Sequence, residues 1–202
     1  MSEETMSLSS SQAVQRDIII EASRELFARF GYKKTTMEDI AGAMRKGKSS
    51  LYYYFKNKED IFTAVIELES QLLFNQLSDI VDSGRKASEK LHDYVMTRME
   101  TISKLQNYQN VLKEGIYGGY EFLEGVNEKG ESIESEFLKK ILDEGVLKNE
   151  FHVKNTRLGA IGIVTALRGL EIPIFRGTEV TDNLNEQLEN VMQILFYGVM
   201  KR

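Results

Sequence analysis

An all-α fold of about nine helices is predicted by three features of the sequence. Apolar residues recur every three to four positions in each sizeable segment, and no stretch alternates apolar and polar as a half-buried strand would. Proline, which breaks helices, occurs once, at Pro173. Capping residues and glycines punctuate the periodic runs where helices should begin and end.

Taken in order, Met1 to Gln12 is polar, carries Glu3 and Glu4, and reads as a frayed tail. The first helix runs from Gln12 to Phe30, with Val14, Ile18, Ile19, Ala22, Leu26, Phe27 and Phe30 as its apolar positions, Ser11 as N-cap and Gly31 past its end. Thr36-Met37-Glu38-Asp39 is a capping box with Asp in the place usually held by Glu or Gln. It starts a short second helix bearing Met37, Ile40, Ala41 and Met44 on one face. Arg45-Lys46-Gly47 breaks that helix, and a third short one runs from Lys48 to Phe55. Asn57 caps a long fourth helix that begins at Lys58 and ends before Gly84. Further helices are expected over Ser88–Leu105, Tyr108–Ile116, Glu131–Leu147, Thr156–Phe175 and Leu184–Met200, with Gly115, Gly118 and Gly119 as a hinge.

Composition narrows the chemistry. The chain has no cysteine and two histidines, His92 and His152, which lie too far apart to form a metal-ligand pattern. No metal, no cofactor and no enzymatic nucleophile–base pair is expected. Leu158 to Leu167, the most apolar stretch, is too short to span a bilayer, and the N-terminus lacks a secretory signal, so a cytoplasmic protein is expected. The net charge of −5 is unevenly spread. Residues 29–58 hold eight Lys or Arg against two acids, a net +6, on an otherwise acidic body. Such a segment suits either a solvated basic face or a nucleic-acid-binding module.

Two short helices joined by a tight turn, flanked by two longer ones, form a helix-turn-helix. Leu51 and Phe55, four apart, would pin the second short helix to the core, leaving Lys48, Ser49, Tyr52 and Tyr53 outward. Lysine meets phosphate or guanine, serine and tyrosine hydroxyls reach bases or backbone. Arg45 and Lys46 in the turn add charge, and the helix N-termini at Thr36 and Lys58 add anion sites.

Across Arg16 to Phe62 the chain resembles the DNA-binding domain of TetR/AcrR-family transcriptional regulators. The residues that carry the resemblance are Arg16, Ile19, Ala22, Leu26, Phe27, Gly31 and Tyr32, then Thr36 to Ala41, then Ser50 to Phe62. It implies a helix-turn-helix DNA-binding domain over residues 12–57 and a larger helical domain over 58–202 for effector binding and dimerisation. It further implies a homodimeric repressor, released from a palindromic double-stranded DNA operator by a small-molecule effector. By position, Thr36, Tyr52 and Lys58 match phosphate contacts, Lys48, Ser49, Ser50 and Tyr53 match base-reading positions, and Tyr54 matches a variable contact. An activator or adaptor without a small ligand is the alternative, and a helical enzyme or carrier a weaker one. One departure concerns the turn, where the family's usual Ala-Gly-Val-Ser is here Met44-Arg45-Lys46-Gly47. Either Arg45 accepts the left-handed conformation, at about 1–2 kcal/mol, or Gly47 takes it over and the turn is redrawn.

In the larger domain, Phe74, Tyr94, Met96, Met99, Tyr108, Tyr117, Tyr120 and Phe122 are the candidate effector wall, although any one of them alone fits a core position. Gly159, Gly162, Ala166 and Gly169 form a small-residue stripe suited to close helix approach, within the chain or between copies. With Leu188, Met192, Leu195, Phe196 and Val199 of the last helix they are the candidate dimer interface. Arg168 is expected to pair with Glu171, the alternative being an anionic effector, and Glu134 and Glu136 to lie on a solvated helix face.

Overall fold

The computed structural model describes residues 3–114, 119–176, 186 and 193, with side chains from Gln12 to Glu171 within those ranges and at 186 and 193. Tyr117, the predicted helix over Leu184–Met200 and its candidate dimer residues Leu188, Met192, Leu195, Phe196 and Val199 lie outside the described residues. Eight α-helices are described: α1 (Glu3–Phe30), α2 (Met37–Ala43), α3 (Lys48–Tyr52), α4 (Lys58–Val81), α5 (Ala87–Ile102), α6 (Gln106–Glu114), α7 (Glu124–Leu147) and α8 (Thr156–Arg176), with a 3-10 turn at Glu121–Leu123. Among these residues no helix is long and apolar enough to cross a membrane, and no group of three or more His, Cys, Asp or Glu is placed to hold a metal.

Four boundaries depart from the sequence pattern by three residues or more, one of them the end of α5, at Ile102 rather than Leu105. The α1 helix begins at Glu3, so Glu3 to Gln12 is helical rather than a frayed tail and Ser11 is interior rather than a cap. No Gly or Pro interrupts residues 3–12, and Glu3 and Glu4 fall in the first turn, where the helix dipole favours negative charge. The α3 helix stops at Tyr52, because the Leu51 carbonyl accepts from the amides of both Tyr54 (2.9 Å) and Phe55 (2.9 Å) and closes the chain into a turn. The α7 helix starts seven residues before Glu131, at Glu124. It crosses Gly125 and Gly130, each costing about 1 kcal/mol relative to Ala in a helix. At Gly130 a Cβ would make ordinary contacts, 3.4 Å from Phe74 Cζ and 3.5 Å from Arg168 Nη2, so packing does not demand the glycine.

Two apolar cores share α4. The first half of α4, with Ile61, Phe62, Val65 and Ile66, packs with Ile19, Ile20 and Phe27 of α1, Met37, Ile40 and Ala41 of α2, and Leu51 of α3. Tyr120 and Leu123 join this core from far along the chain. The second half of α4, with Leu73, Leu77, Ile80 and Val81, packs with α5, α7 and α8. One long helix therefore carries the helix-turn-helix at one end and the helical body at the other.

Candidate nucleic-acid interface

The predicted capping box is present. Thr36 Oγ1 accepts from the Asp39 amide (3.2 Å), and the Asp39 carboxylate accepts from the Thr36 amide (2.8 Å) and hydroxyl (2.7 Å). The Thr36 hydroxyl bond, and then the backbone one, hold the Asp39 carboxyl below the usual range. With Met37, Ile40 and Ala41 buried, α2 has a fixed orientation on the core.

The turn after α2 is a Schellman motif. The Lys46 amide bonds to the Ala41 carbonyl at 3.0 Å and the Arg45 amide to the Gly42 carbonyl at 3.0 Å. Arg45 holds the left-handed position at φ 53, while Gly47 is extended at φ −72 and serves as N-cap of α3. Of the two alternatives for this turn, the arginine takes the strain. Arg45→Gly is therefore expected to raise stability by about 0.5–1 kcal/mol, the relief of about 1–2 kcal/mol being partly offset by glycine's entropy cost of about 0.5–1 kcal/mol. Urea unfolding midpoints measure this, and a lower midpoint for the variant would contradict it.

Beyond the turn, Arg45, Lys46, Lys48, Ser49, Tyr52 and Tyr53 are all exposed, Ser50 and Tyr54 are half-buried, and Leu51 and Phe55 are buried. Tyr53, at 68%, is more open than Tyr52, at 47%. The Lys48 ammonium pairs with Glu38 of α2 and sits 5.7 Å from the Tyr52 ring centroid. Lys58 is also held within the protein. Its ammonium donates to the carbonyls of Tyr32 (2.8 Å) and Thr35 (2.9 Å) and lies 4.3 Å from the Tyr32 ring. Two of its three N–H groups thus brace the α1–α2 connection, and burial lowers its pKa.

Two neighbours escaped the sequence reading. Gln12 Nε2 donates to the Tyr53 hydroxyl at 2.7 Å, and the Arg16 guanidinium lies 4.9 Å from the Phe55 ring centroid. Their spacing of four along α1 was the available signal, since it puts both on one helix face. A cleft of about 550 Å³ opens beside α2, lined by Leu26 and Phe30 of α1 together with Lys34, Thr35, Glu38, Asp39 and Gly42.

The candidate effector wall does not assemble as one surface. Tyr94 is fully buried in the core of the helical body, with Phe74 and Tyr108 packed against it. Tyr120 and Phe122 belong instead to the other core, where their rings lie 5.7 Å and 6.3 Å from Phe62. Met99 is fully buried and Met96 half-buried. What the helical body does contain is a buried charge cluster. Arg98 Nε donates to Glu134 at 2.5 Å, its Nη2 to the other oxygen of Glu134 at 3.1 Å, and its Nη1 meets Glu171 at 2.5 Å. Arg98, Glu134 and Glu171 are 0%, 2% and 1% exposed, so Glu134 is not on a solvated face. Arg168 pairs with Glu131 (2.7 Å) and approaches Glu134 (3.9 Å), not Glu171, which Arg98 has taken. Burial raises the Glu171 carboxyl, with Arg98 pulling the other way.

On the small-residue stripe, Gly159 packs inside the chain. A Cβ there would meet Leu142 and Val153, each at 3.2 Å. Gly162 and Gly169 face open space, Ala166 is exposed, and Leu158 and Ile161 beside them are 65% and 44% exposed.

Residues 19–65 match the family model described as bacterial regulatory proteins, tetR family. The chain is similar to the HTH-type transcriptional regulator QacR of Staphylococcus aureus, at 26% identity over 92% of this chain and 98% of that one. It is also similar to the HTH-type transcriptional repressor KstR2 of Mycolicibacterium smegmatis, at 29% identity over 70% of each. Among solved structures, a transcriptional regulator from Cytophaga hutchinsonii superposes with a TM-score of 0.74 at 27% identity, covering 92% of this chain and 98% of that one. A TetR-family regulator from Pectobacterium atrosepticum shares the fold, with a TM-score of 0.77 at 18% identity over 96% and 97% of the two chains.

Proposed function

Because the chain belongs to the TetR/AcrR family of helix-turn-helix transcriptional regulators, we propose that this DNA-binding regulator is a homodimeric repressor whose operator is palindromic and whose release is driven by a small-molecule effector. The observation that carries the DNA-reading surface is the set of exposed residues Arg45, Lys46, Lys48, Ser49, Tyr52 and Tyr53 on a turn and helix anchored by buried Leu51 and Phe55. In this reading Arg45, Lys46, Thr36 and Tyr52 contact phosphates, while Lys48, Ser49, Ser50, Tyr53 and Tyr54 lie at or beside the bases. Lys48 exchanges its Glu38 partner for DNA, and the one N–H of Lys58 that is not on a carbonyl remains for a phosphate. The functional division lies near residue 57, with dimerisation and effector sensing beyond it. Repression is supported by the description of KstR2 as a repressor. Dimerisation is supported by the outward stripe of Leu158, Ile161, Gly162, Ala166 and Gly169 on α8, which a second copy would cover about a two-fold axis. The protein acts in the cytoplasm, where its operator is.

The test begins with selection of a preferred duplex from a random pool. Lys46→Ala is expected to weaken all sequences about equally and to lower the slope of log affinity against log salt by about one. Lys48→Ala is expected to alter the preferred sequence as well, at about 1–3 kcal/mol for the discriminated base. Unchanged affinity and preference in both variants would assign DNA contact to another surface.

A further inference from the structure

Residues 29–58 hold two acids among eight Lys and Arg, and the structure gives the two different tasks. Asp39 serves the capping box of α2, where it accepts from the Thr36 amide and hydroxyl. Glu38 reaches across to α3 instead, and its carboxylate pairs with the Lys48 ammonium. That bond holds the Glu38 carboxyl below the usual glutamate range, so it is charged at neutral pH. The Glu38 and Lys48 side chains are 62% and 45% exposed, and Glu38 also lines the open cleft beside α2. A full negative charge thus stands against the first residue of α3, two positions along the chain from Thr36.

We propose that Glu38 is a specificity-determining residue, whose carboxylate accepts from a cytosine N4 amino group while Lys48 donates to the guanine of the same base pair. The proposal rests on the reading that α3 enters the major groove, and it adds a base-reading group from α2. The chemistry follows from what each group can do. A carboxylate only accepts, so it meets the amino groups of cytosine or adenine and is repelled by phosphates. An ammonium only donates, and guanine offers it both O6 and N7. Held side by side, the two charges complement a G·C edge, where the two guanine acceptors adjoin the cytosine amine. An A·T edge sets its amino group between its acceptors, so one ammonium cannot take both beside the carboxylate. Random sequence gains little from opening the pair. There Lys48 reaches a phosphate only by leaving Glu38 bare beside the same anionic backbone, so the pair stays closed and its charges cancel. An exposed pair of this kind is weak enough to open where both groups find partners. Glu38 therefore lowers affinity for random sequence while sparing the matching one.

Duplexes are selected from a random pool by the unmodified protein, Glu38→Ala, Glu38→Gln and Lys48→Ala, each first checked for a cooperative melt. Glu38→Ala is expected to bind random duplex about threefold tighter or more. Its slope of log affinity against log salt is expected to steepen by about one, since Lys48 is then free for a phosphate. The same variant is expected to lose preference for one cytosine per half-site, from about fivefold or more to below about twofold. Glu38→Gln, whose amide pairs with adenine N6 and N7, is expected to prefer adenine there. Lys48→Ala is expected to relax preference at that same base pair, and relaxation only elsewhere counts against a shared G·C pair. Cytosine retained at every position in both Glu38 variants overturns the proposal, as does random-duplex affinity that fails to rise in Glu38→Ala. A fall on all sequences alike would make Glu38 a support for α3 and also overturns it. If the unmodified protein selects no duplex, the functional reading itself fails, an outcome distinct from a selected duplex whose preferences ignore Glu38.

Discussion

Replacing Arg98 with methionine is expected to destabilise the protein by about 3–5 kcal/mol, because it leaves two carboxylates buried with no cation between them. For a chain of this size that corresponds to a fall in melting temperature of roughly 10 °C. The size of the loss follows from the geometry. Glu134 accepts two N–H bonds from Arg98, and Glu171 a close approach from its Nη1, and neither carboxylate has solvent to fall back on. The loss is pH-dependent, with a sign that can be worked out. Burial already raises the Glu171 carboxyl above its unfolded value, so the folded state holds a proton that the unfolded state has released. Stability then falls as pH rises from the ordinary glutamate range, about 4.3, up through the folded value. Without Arg98 that folded value rises further. The deficit of the variant is therefore expected to be largest at neutral pH and to shrink as pH approaches about 4.5. Thermal melts at pH 4.5 and 7.5 compare the two. The triple variant Arg98→Met, Glu134→Leu, Glu171→Leu is expected to match the unmodified protein or exceed it by about 1–4 kcal/mol, since it removes the desolvated charges along with their attraction. A single variant no worse than the triple at neutral pH would mean that the carboxylates do not depend on Arg98.

The contrast between the two halves of the molecule lies in how far apart the interacting residues sit. The helix-turn-helix could be read from the sequence because its parts are local. Thr36 and Asp39 are three apart, Leu51 and Phe55 four apart, and the turn between α2 and α3 has room for one left-handed residue, which the Schellman bonds assign to Arg45. The charge cluster has no such local trace. Arg98, Glu134 and Glu171 come from α5, α7 and α8, and no helical spacing rule connects positions more than 30 residues apart. For that reason the sequence pattern puts Glu134 on a solvated face and Glu171 beside Arg168. The aromatic residues lack a local trace for the same reason. Tyr94 and Tyr120 both belong to the candidate wall, yet they lie in different cores. Lys58 was read correctly as the start of α4, but its ammonium lies against two carbonyls contributed by residues more than 20 positions earlier.

That interdependence has a consequence for any attempt to isolate the DNA-reading unit. A fragment ending at residue 57 retains α1 to α3, which between them carry Phe27, Ile40 and Leu51, but it loses the surface against which they pack. Phe62 of α4 lies 5.0 Å from Phe27 and 4.8 Å from Tyr32, ring to ring, with Tyr120 stacked at 5.7 Å on Phe62. Ile61, Val65 and Ile66 are likewise buried in this core, and Leu123 closes it. Each large apolar side chain removed takes away about 1.5–3 kcal/mol of burial. Six such losses, about 9–18 kcal/mol, are as large as the stability of a typical whole domain, about 5–15 kcal/mol, and a unit this small starts with little margin. Residues 1–57 are therefore expected to show weak helical circular dichroism and no cooperative melt, and to lack specific DNA binding. Extension to residue 81 restores α4 and most of the core, but Tyr120 and Leu123 are still missing, so that longer fragment is expected to melt cooperatively but well below the full chain. A cooperative melt for residues 1–57 would require α1 to α3 to close their core without Phe62. Among the described rings of that fragment, Phe27 and Tyr32 meet each other at 6.0 Å, tilted, Phe55 lies beside Arg16, and Tyr54, at the edge of the core, is paired with Tyr53.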